Sequence, residues 1–228
     1  MKKISVIVPV YNEKKTIKTL LERVKAVALP LEKEIIVVDD GSGDGSTEIL
    51  KNVDGIRLIH HTKNKGKGAA VKTGLSHATG DIIIIQDGDL EYDPQDYKEL
   101  IKPILENKAK VVYGSRMLNK KNKNHSSTSF YLGGITLSFL TNILYSSHIT
   151  DEPTCYKTFR TDIIKSIALE SDGFEFCPEV TAKILKKGIK IYEVPIAYNP
   201  RSVKDGKKLN WKDGWRAIFT LLKHRFKN

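Results

Sequence analysis

Ile82-Ile83-Ile84-Ile85-Gln86-Asp87-Gly88-Asp89 is the stretch that sets the fold class of this 228-residue chain. Four consecutive isoleucines read as a strand covered on both faces, as in a parallel sheet flanked by helices. Two carboxylates at the exit of such a strand lie at the carboxyl edge, where open α/β sheets bind ligands. Gly88 between them lets the backbone bend and leaves room for a ligand to approach. Hard oxygen donors paired on a short turn suit Mg2+ or Mn2+, above all when phosphates complete the shell. Standing alone, an Asp-x-Asp turn is better read as a solvated acidic turn, so its neighbours in the sequence decide.

Outward from that strand, β-branched runs and helically spaced apolar residues alternate. The pattern predicts strands over 4–10, 34–38, 56–60, 82–85 and 110–113, with helices over 16–27, 46–53, 68–78 and 94–105 between and after them. Such alternation means a doubly wound, mostly parallel α/β sheet. The second half is less regular. A polar, basic loop over 119–129 precedes a helix over 130–145, and strands over 154–159 and 190–194 bracket a helix near 178–186. A basic helix over 211–226 carries Trp211, Trp215, Ile218, Phe219 and Leu222. No repeat, low-complexity stretch or interdomain linker interrupts the chain, which fits a single domain over 1–228.

The net charge is +11, and it is unevenly placed. Residues 1–110 carry 18 Lys/Arg against 17 Asp/Glu, whereas residues 111–228 carry 20 against 10. A basic second half points to a polyanionic partner: nucleic acid, a phosphorylated substrate or an anionic membrane surface. No nucleic-acid-binding motif accompanies the charge. The two cysteines, Cys155 and Cys177, have neither metal-ligand spacing nor the numbers for a disulfide framework, so a cytoplasmic setting is expected. A strand pattern within a few residues of Met1 leaves no room for a signal peptide, and no apolar run reaches the ~18–20 residues that span a bilayer. The expectation is a protein that lies on a membrane and does not cross one.

Two loops invite misreading. Asp39-Asp40-Gly41-Ser42-Gly43-Asp44-Gly45-Ser46 lacks the glutamate of an EF-hand loop, having Lys51 at the twelfth position, and it follows a strand where a helix is required. It also lacks the third glycine of a dinucleotide fingerprint. What survives is an acidic pair at a strand end that suits a ribose or base, alongside ordinary turn and capping chemistry from Ser42, Asp44 or Ser46. Asn64-Lys65-Gly66-Lys67-Gly68-Ala69-Ala70 offers small residues and lysines at a helix start, which reads equally as an anion site and as a solvated basic turn. Arg116, Arg201, Lys204, Lys207 and Lys208 stand near predicted strand or loop ends, with arginine suited to bidentate phosphate contacts.

Taken in order, Val6-Ile7-Val8-Pro9-Val10-Tyr11-Asn12-Glu13, Ile36-Val37-Val38-Asp39-Asp40-Gly41-Ser42, Asn64-Lys65-Gly66-Lys67-Gly68, Gln86-Asp87-Gly88-Asp89-Leu90 and Gly114-Ser115-Arg116 resemble the inverting nucleotide-sugar glycosyltransferases of family 2. Within that family the chain is most similar to dolichyl-phosphate mannose synthase and related polyprenyl-phosphate glycosyltransferases. The resemblance implies a glycosyltransferase-A fold with a nucleotide-sugar-binding half over 1–116 and an acceptor-side extension over 117–228. It implies that Pro9, Tyr11, Glu13 and Asp40 hold the nucleoside, with Lys67 near it or its phosphates. Asp87 and Asp89 would bind Mg2+ or Mn2+ at the donor diphosphate, and Glu91 stands where the synthase often has a glutamine ligand. Arg116 would help hold the acceptor phosphate, and Arg201 with Lys207 the donor or acceptor phosphates. Asp151 matches an aspartate often assigned as general base. A polyprenyl phosphate arrives ionised and needs no strong base, so Asp151 would alternatively orient Arg116.

The implied reaction is metal-dependent transfer of a hexose from a GDP- or UDP-sugar to polyprenyl phosphate, with inversion, by a peripheral protein on the inner face of the membrane. Alternatives are the same donor with a saccharide or other hydroxyl acceptor, and a basic nucleic-acid-binding module. A nucleotidyltransferase is disfavoured because no glycine-rich basic loop follows the first strand.

Overall fold

The structure is a computed structural model describing residues 1–122, 127–201 and 211–227. The first half alternates as expected: β1 (Lys3–Val10), α1 (Ile17–Ala26), β2 (Glu32–Asp39), α2 (Ser46–Lys51), β3 (Arg57–His60), α3 (Lys67–His77), β4 (Ile82–Ile85), α4 (Tyr97–Leu105) and β5 (Val111–Ser115). Then come α5 (Thr128–Tyr145), β6 (Lys157–Arg160), α6 (Thr161–Lys165), α7 (Phe176–Lys186), β7 (Ile191–Pro195) and α8 (Trp211–Phe226). The short α6 was not expected from the sequence.

The strands form one seven-stranded sheet in the order β3-β2-β1-β4-β6-β5-β7. The isoleucine run behaves as its composition demands. Ile82 and Ile84 face a core layer with Leu20, Leu21 and Val24 of α1 and Leu100, Ile101 and Ile104 of α4. Ile83 and Ile85 face the opposite layer, built with Ala70, Val71 and Leu75 of α3 and Val180 and Ile184 of α7. Alternate residues of a strand point to opposite faces, so a sheet covered on both sides needs apolar residues at every position. Burying each such side chain contributes roughly 1.5–3 kcal/mol.

One strand departs from the parallel pattern. The strand expected over 154–159 is observed as Lys157–Arg160 and runs antiparallel between β4 and β5, with Ile82 opposite Arg160 and Val112 opposite Thr158. A reversed strand starts at the edge where its parallel neighbours end. The segment leading into β6 is therefore delivered to the carboxyl edge, and the Gly114 amide donates to the Tyr156 carbonyl there at 2.8 Å. A third, smaller core of Leu137, Ala182, Ala217 and Leu221 joins α5, α7 and α8.

Candidate active site

The loops leaving β1, β2, β4 and β5 and the segment entering β6 surround a cleft of about 300 Å3. Its floor is the turn after β4. Buried Gln86 accepts hydrogen bonds through Oε1 from the Tyr97 hydroxyl (2.7 Å) and the Tyr156 hydroxyl (2.6 Å), and its amide donates to the Asp87 carbonyl at 3.0 Å. The Thr16 hydroxyl donates to the Gly88 carbonyl at 2.7 Å, tying the turn to the start of α1. Leu90 takes a left-handed φ of 62°, uncommon for a branched side chain. The Glu91 amide then reaches back to Asp89 Oδ1 at 3.1 Å.

Each carboxylate of the turn carries its own cation. Lys67 Nζ lies 2.6 Å from Asp87 Oδ1 and also contacts Cys155 Sγ at 3.1 Å. Burial opposes the Lys67 charge, but Asp87 outweighs it and holds the ammonium well above its ordinary value. Burial likewise pushes the Asp87 carboxyl up, while Lys67 brings it below the usual range overall. Asp89 is pushed up to about 7 by burial and by the neighbouring Asp87 and Glu91 charges, against the pull of Arg201. Arg201 donates from Nη2 to Asp89 Oδ2 (2.9 Å) and from Nη1 to Glu13 Oε2 (2.9 Å). Its backbone amide donates to Glu91 Oε1 at 2.9 Å, and a bridge between Tyr92 and Tyr198 lays this distant segment across the turn.

Glu13, which the resemblance set beside the nucleoside, thus shares Arg201 with Asp89 and Glu91 of the implied metal set, next to Asp87. Among the described residues, no group of three or more His, Cys, Asp or Glu side chains is arranged to hold a metal ion as it stands, because Lys67 and Arg201 are interleaved with the carboxylates. The donor set nonetheless fits a hard divalent cation. It offers only carboxylate oxygens; burial first, and then the charges of Asp87 and Glu91, raise Asp89.

Asp40 lies in the same cleft but is already engaged. Its carboxylate accepts from the amides of Lys65 (3.0 Å) and Gly66 (2.7 Å) and from the Asn64 side chain (2.9 Å), and it pairs with His61 at 2.6 Å. Asp40 therefore fixes the loop before α3. The amides of Gly68 and Ala69 donate to the carbonyls of Gly173 and Asp172. Of the two readings the sequence left open for 64–70, a backbone anion site is disfavoured by the engaged amides of Lys65, Gly66, Gly68 and Ala69, and the Lys67 side chain is the cation this loop turns to the cleft. A Cβ at Gly66, whose φ is +104°, would lie 2.4 Å from the Asp172 carbonyl oxygen, so this loop requires glycine. On the acidic loop after β2 the side chains make turn and loop contacts and do not cap α2, whose N-cap is Gly45. Asp44 Oδ1 accepts from the Ser46 amide at 2.9 Å, and Ser42 Oγ accepts from the Asn12 amide at 2.9 Å. Pro9 and Tyr11 line the cleft beside these loops.

On the far wall, Asp151 is 2% exposed and takes three bonds from Arg116: the amide (2.8 Å), Nε (2.7 Å) and Nη2 (2.6 Å). Burial works against the Arg116 charge, and Asp151 outweighs it, holding the guanidinium well above its ordinary value. The guanidinium lies 5.1 Å from the Tyr198 ring centroid. Both Asp151 oxygens are committed to Arg116, which is the arrangement of an orienting carboxylate. Lys207 lies outside the described residues, as do Lys204 and Lys208.

Cys155, read from the sequence as a small buried residue, and Phe174 and Tyr198, not marked there as site residues, join the site because β6 reverses and chain segments far apart meet. Beyond Lys67, Arg116, Pro153, Cys155 and Phe174 the cleft continues into a mainly apolar groove of about 620 Å3 between α5, α7 and α8. Leu137, Pro178, Ala217 and Ile218 are among its walls.

Known proteins share this architecture. The crystal structure of glucosyl-3-phosphoglycerate synthase from Mycobacterium tuberculosis in complex with Mn2+, UDP and phosphoglyceric acid superposes with a TM-score of 0.75 at 20% identity, over 99% of this chain and 79% of that one. The UDP-N-acetylglucosamine–dolichyl-phosphate N-acetylglucosaminyltransferase of Methanococcus voltae is 30% identical over 244 residues, covering 97% of this chain and 95% of that protein. The dolichol-phosphate mannosyltransferase of Pyrococcus furiosus is 28% identical over 236 residues, covering 99% of this chain and 63% of that protein. Residues 5–168 match the family model described as Glycosyl transferase family 2. With the glycosyltransferase-A architecture of its sheet, the chain belongs to glycosyl transferase family 2 and is a glycosyltransferase.

Proposed function

We propose that the protein transfers a hexose from a GDP- or UDP-sugar to a polyprenyl phosphate, with inversion at the sugar carbon. The observation that carries this reading is the continuity of the charged cleft with the apolar groove, joined at Lys67 and Arg116. A nucleotide diphosphate suits the acidic and cationic end, and an isoprenoid chain suits the apolar end. The names of the relatives from Methanococcus voltae and Pyrococcus furiosus support a dolichyl-type acceptor. In this reading residues 1–116 serve the donor and residues 117–228 the acceptor.

Asp87, Asp89 and Glu91 would hold Mg2+ or Mn2+, whose charge would stabilise the diphosphate as it leaves. Pro9, Tyr11 and Glu13 would border the nucleoside, with Asp40 supporting that pocket through the 64–66 loop. Lys67 and Arg201 add positive charge where the leaving group gains negative charge. Arg116, aimed by Asp151, holds the acceptor phosphate. A phosphate oxygen attacks the anomeric carbon, the bond from that carbon to the donor diphosphate breaks, and the electron pair leaves with the nucleotide. The attacking oxygen is already ionised, so no side chain needs to remove a proton. This agrees with the full engagement of Asp151 by Arg116.

Among the described residues no helix is long and apolar enough to cross a membrane. Exposed Leu132, Ile135, Phe139 and Ile143 on α5 and Trp215, Phe219, Leu222 and Phe226 on α8 form two apolar stripes. The helices touch through the small core and the Tyr145 hydroxyl, which donates to the Leu221 carbonyl at 2.6 Å. With Lys223 and Arg225 at the end of α8, this face supports peripheral binding to the inner face of the membrane.

The test is incubation with Mn2+ and a panel of GDP- and UDP-sugars, with undecaprenyl phosphate, a phosphorylated soluble acceptor or a neutral saccharide. Lipid-linked sugar is the expected product. Transfer only to a soluble acceptor would overturn the lipid reading.

A further inference from the structure

We infer that Arg201 is an exchangeable internal counter-ion of the donor site. Its guanidinium holds the acidic side chains while the site is empty of donor. It then turns onto the nucleotide diphosphate as a divalent cation takes those side chains. The inference rests on the donor-site reading above and concerns the order in which that site fills.

Three observations carry it. First, Arg201 stands among the candidate cation ligands. Nη2 is 2.9 Å from Asp89 Oδ2 and 3.3 Å from Glu13 Oε1, Nη1 is 2.9 Å from Glu13 Oε2, and the backbone amide bonds Glu91. A guanidinium and a divalent cation cannot both hold the same oxygen atoms. Second, the seat is an imperfect match for arginine. Nε is buried with no hydrogen-bond partner among the described residues and sits 4.0 Å from the Glu91 carboxylate. An unpaired buried N–H is costly, and a cation ligated by oxygens leaves no such group behind. Third, Arg201 belongs to neither a helix nor a strand, whereas Lys67, the other cation of the turn, is the first residue of α3. Of these two cations among the described residues, Arg201 is the one whose backbone is not held in a helix or strand.

The consequence is cooperative filling. A divalent cation entering alone must push Arg201 off two carboxylates and into water. A nucleotide diphosphate offers the guanidinium a new bidentate partner, so the carboxylates are released when the donor arrives. Metal and nucleotide then tighten each other's binding by the same factor, as linkage requires.

The experiment is titration of the full chain with Mn2+, read by calorimetry and by the electron paramagnetic resonance of free Mn2+, without and with saturating UDP or GDP. In the wild type, nucleotide should tighten Mn2+ binding by about 10-fold or more. Arg201→Gln should bind Mn2+ alone about 10-fold more tightly than the wild type and show a nucleotide effect about 10-fold smaller than the wild type's. Arg201→Lys, which keeps the charge but not the fork, should fall between them and guards against a glutamine variant that fails to fold. Mn2+ binding to Arg201→Gln no tighter than to the wild type overturns the inference while leaving the donor site standing. If neither protein binds Mn2+ even with nucleotide, the donor-site reading falls, and this inference with it.

Discussion

The Asp151–Arg116 pair shows how a residue's chemistry is set by what its side chain already holds. A carboxylate at this position can serve as a base only if an oxygen is available to a substrate hydroxyl. Here three donors from one arginine occupy both oxygens, at 2.6–2.8 Å. Asp151→Asn should therefore weaken acceptor binding more than it slows turnover. We expect the acceptor KM to rise about 10-fold, equivalent to losing ~1.4 kcal/mol from a charge-assisted contact. The pH profile of kcat should keep its shape. Loss of an ionising limb from that profile would show instead that Asp151 acts as a base. The two residues are 35 positions apart, and their motifs can be seen in the sequence separately, but nothing local says that they meet.

At the scale of elements, Glu34 on β2 ties three strands together at the amino edge, opposite the site. It accepts from the Ser5 hydroxyl on β1, from the amides of Thr79 (2.7 Å) and Gly80 (3.0 Å) ahead of β4, and pairs with Lys3 at 3.1 Å. Burial would raise its carboxyl, but hydrogen bonds from Ser5, Thr79 and Lys3 outweigh that and bring it to about 2, from 4.5. A depressed carboxyl stabilises the folded state above its unfolded pKa, and that stability is lost as pH falls through the folded value. At pH 7, Glu34→Gln should cost ~1 kcal/mol after allowance for solvent screening, or about 2–4 °C in melting temperature. The gap between variant and wild type should close as pH falls from about 4.5 to about 2. A gap that stays constant with pH would show that packing, not charge, sets the effect. The strands themselves were legible because continuous, largely β-branched apolar runs mark strands covered on both faces. The reversal of β6 was not, because a four-residue strand carries no mark of its direction.

For the whole molecule, α5 and α8 each expose an apolar stripe, and the two helices meet through Leu137, Ala217 and Leu221. Phe139 is 65% exposed and Phe219 68%, so neither contributes core packing. The double substitution Phe139→Asp and Phe219→Asp should leave thermal stability within ~0.5 kcal/mol of the wild type, the usual range for surface changes. Flotation with anionic phosphatidylglycerol vesicles should fall at least several-fold, and wild-type binding should weaken with added salt as the charges are screened. Equal flotation of both proteins would remove this face from the membrane reading. A salt-insensitive, lipid-free dimer lost in the double variant would assign the face to self-association.

The sequence by itself determined the layered parallel sheet and the acidic turn at its carboxyl edge. Both are local facts: Ile82–Ile85 must be covered on both faces, and a turn must follow where the apolar run stops. The family resemblance then implied a metal role for Asp87, Asp89 and Glu91 and a nucleoside role for Glu13. Only the tertiary structure decided how those groups are neutralised. Lys67 reaches Asp87 because α3 begins beside the exit of β4, and Arg201 reaches Asp89 because the strand-like contact of Tyr198 with Tyr92 folds a segment over 100 residues away across the turn. Charge pairing over such separations depends on where the backbone is carried, and periodicity along the chain holds no record of it.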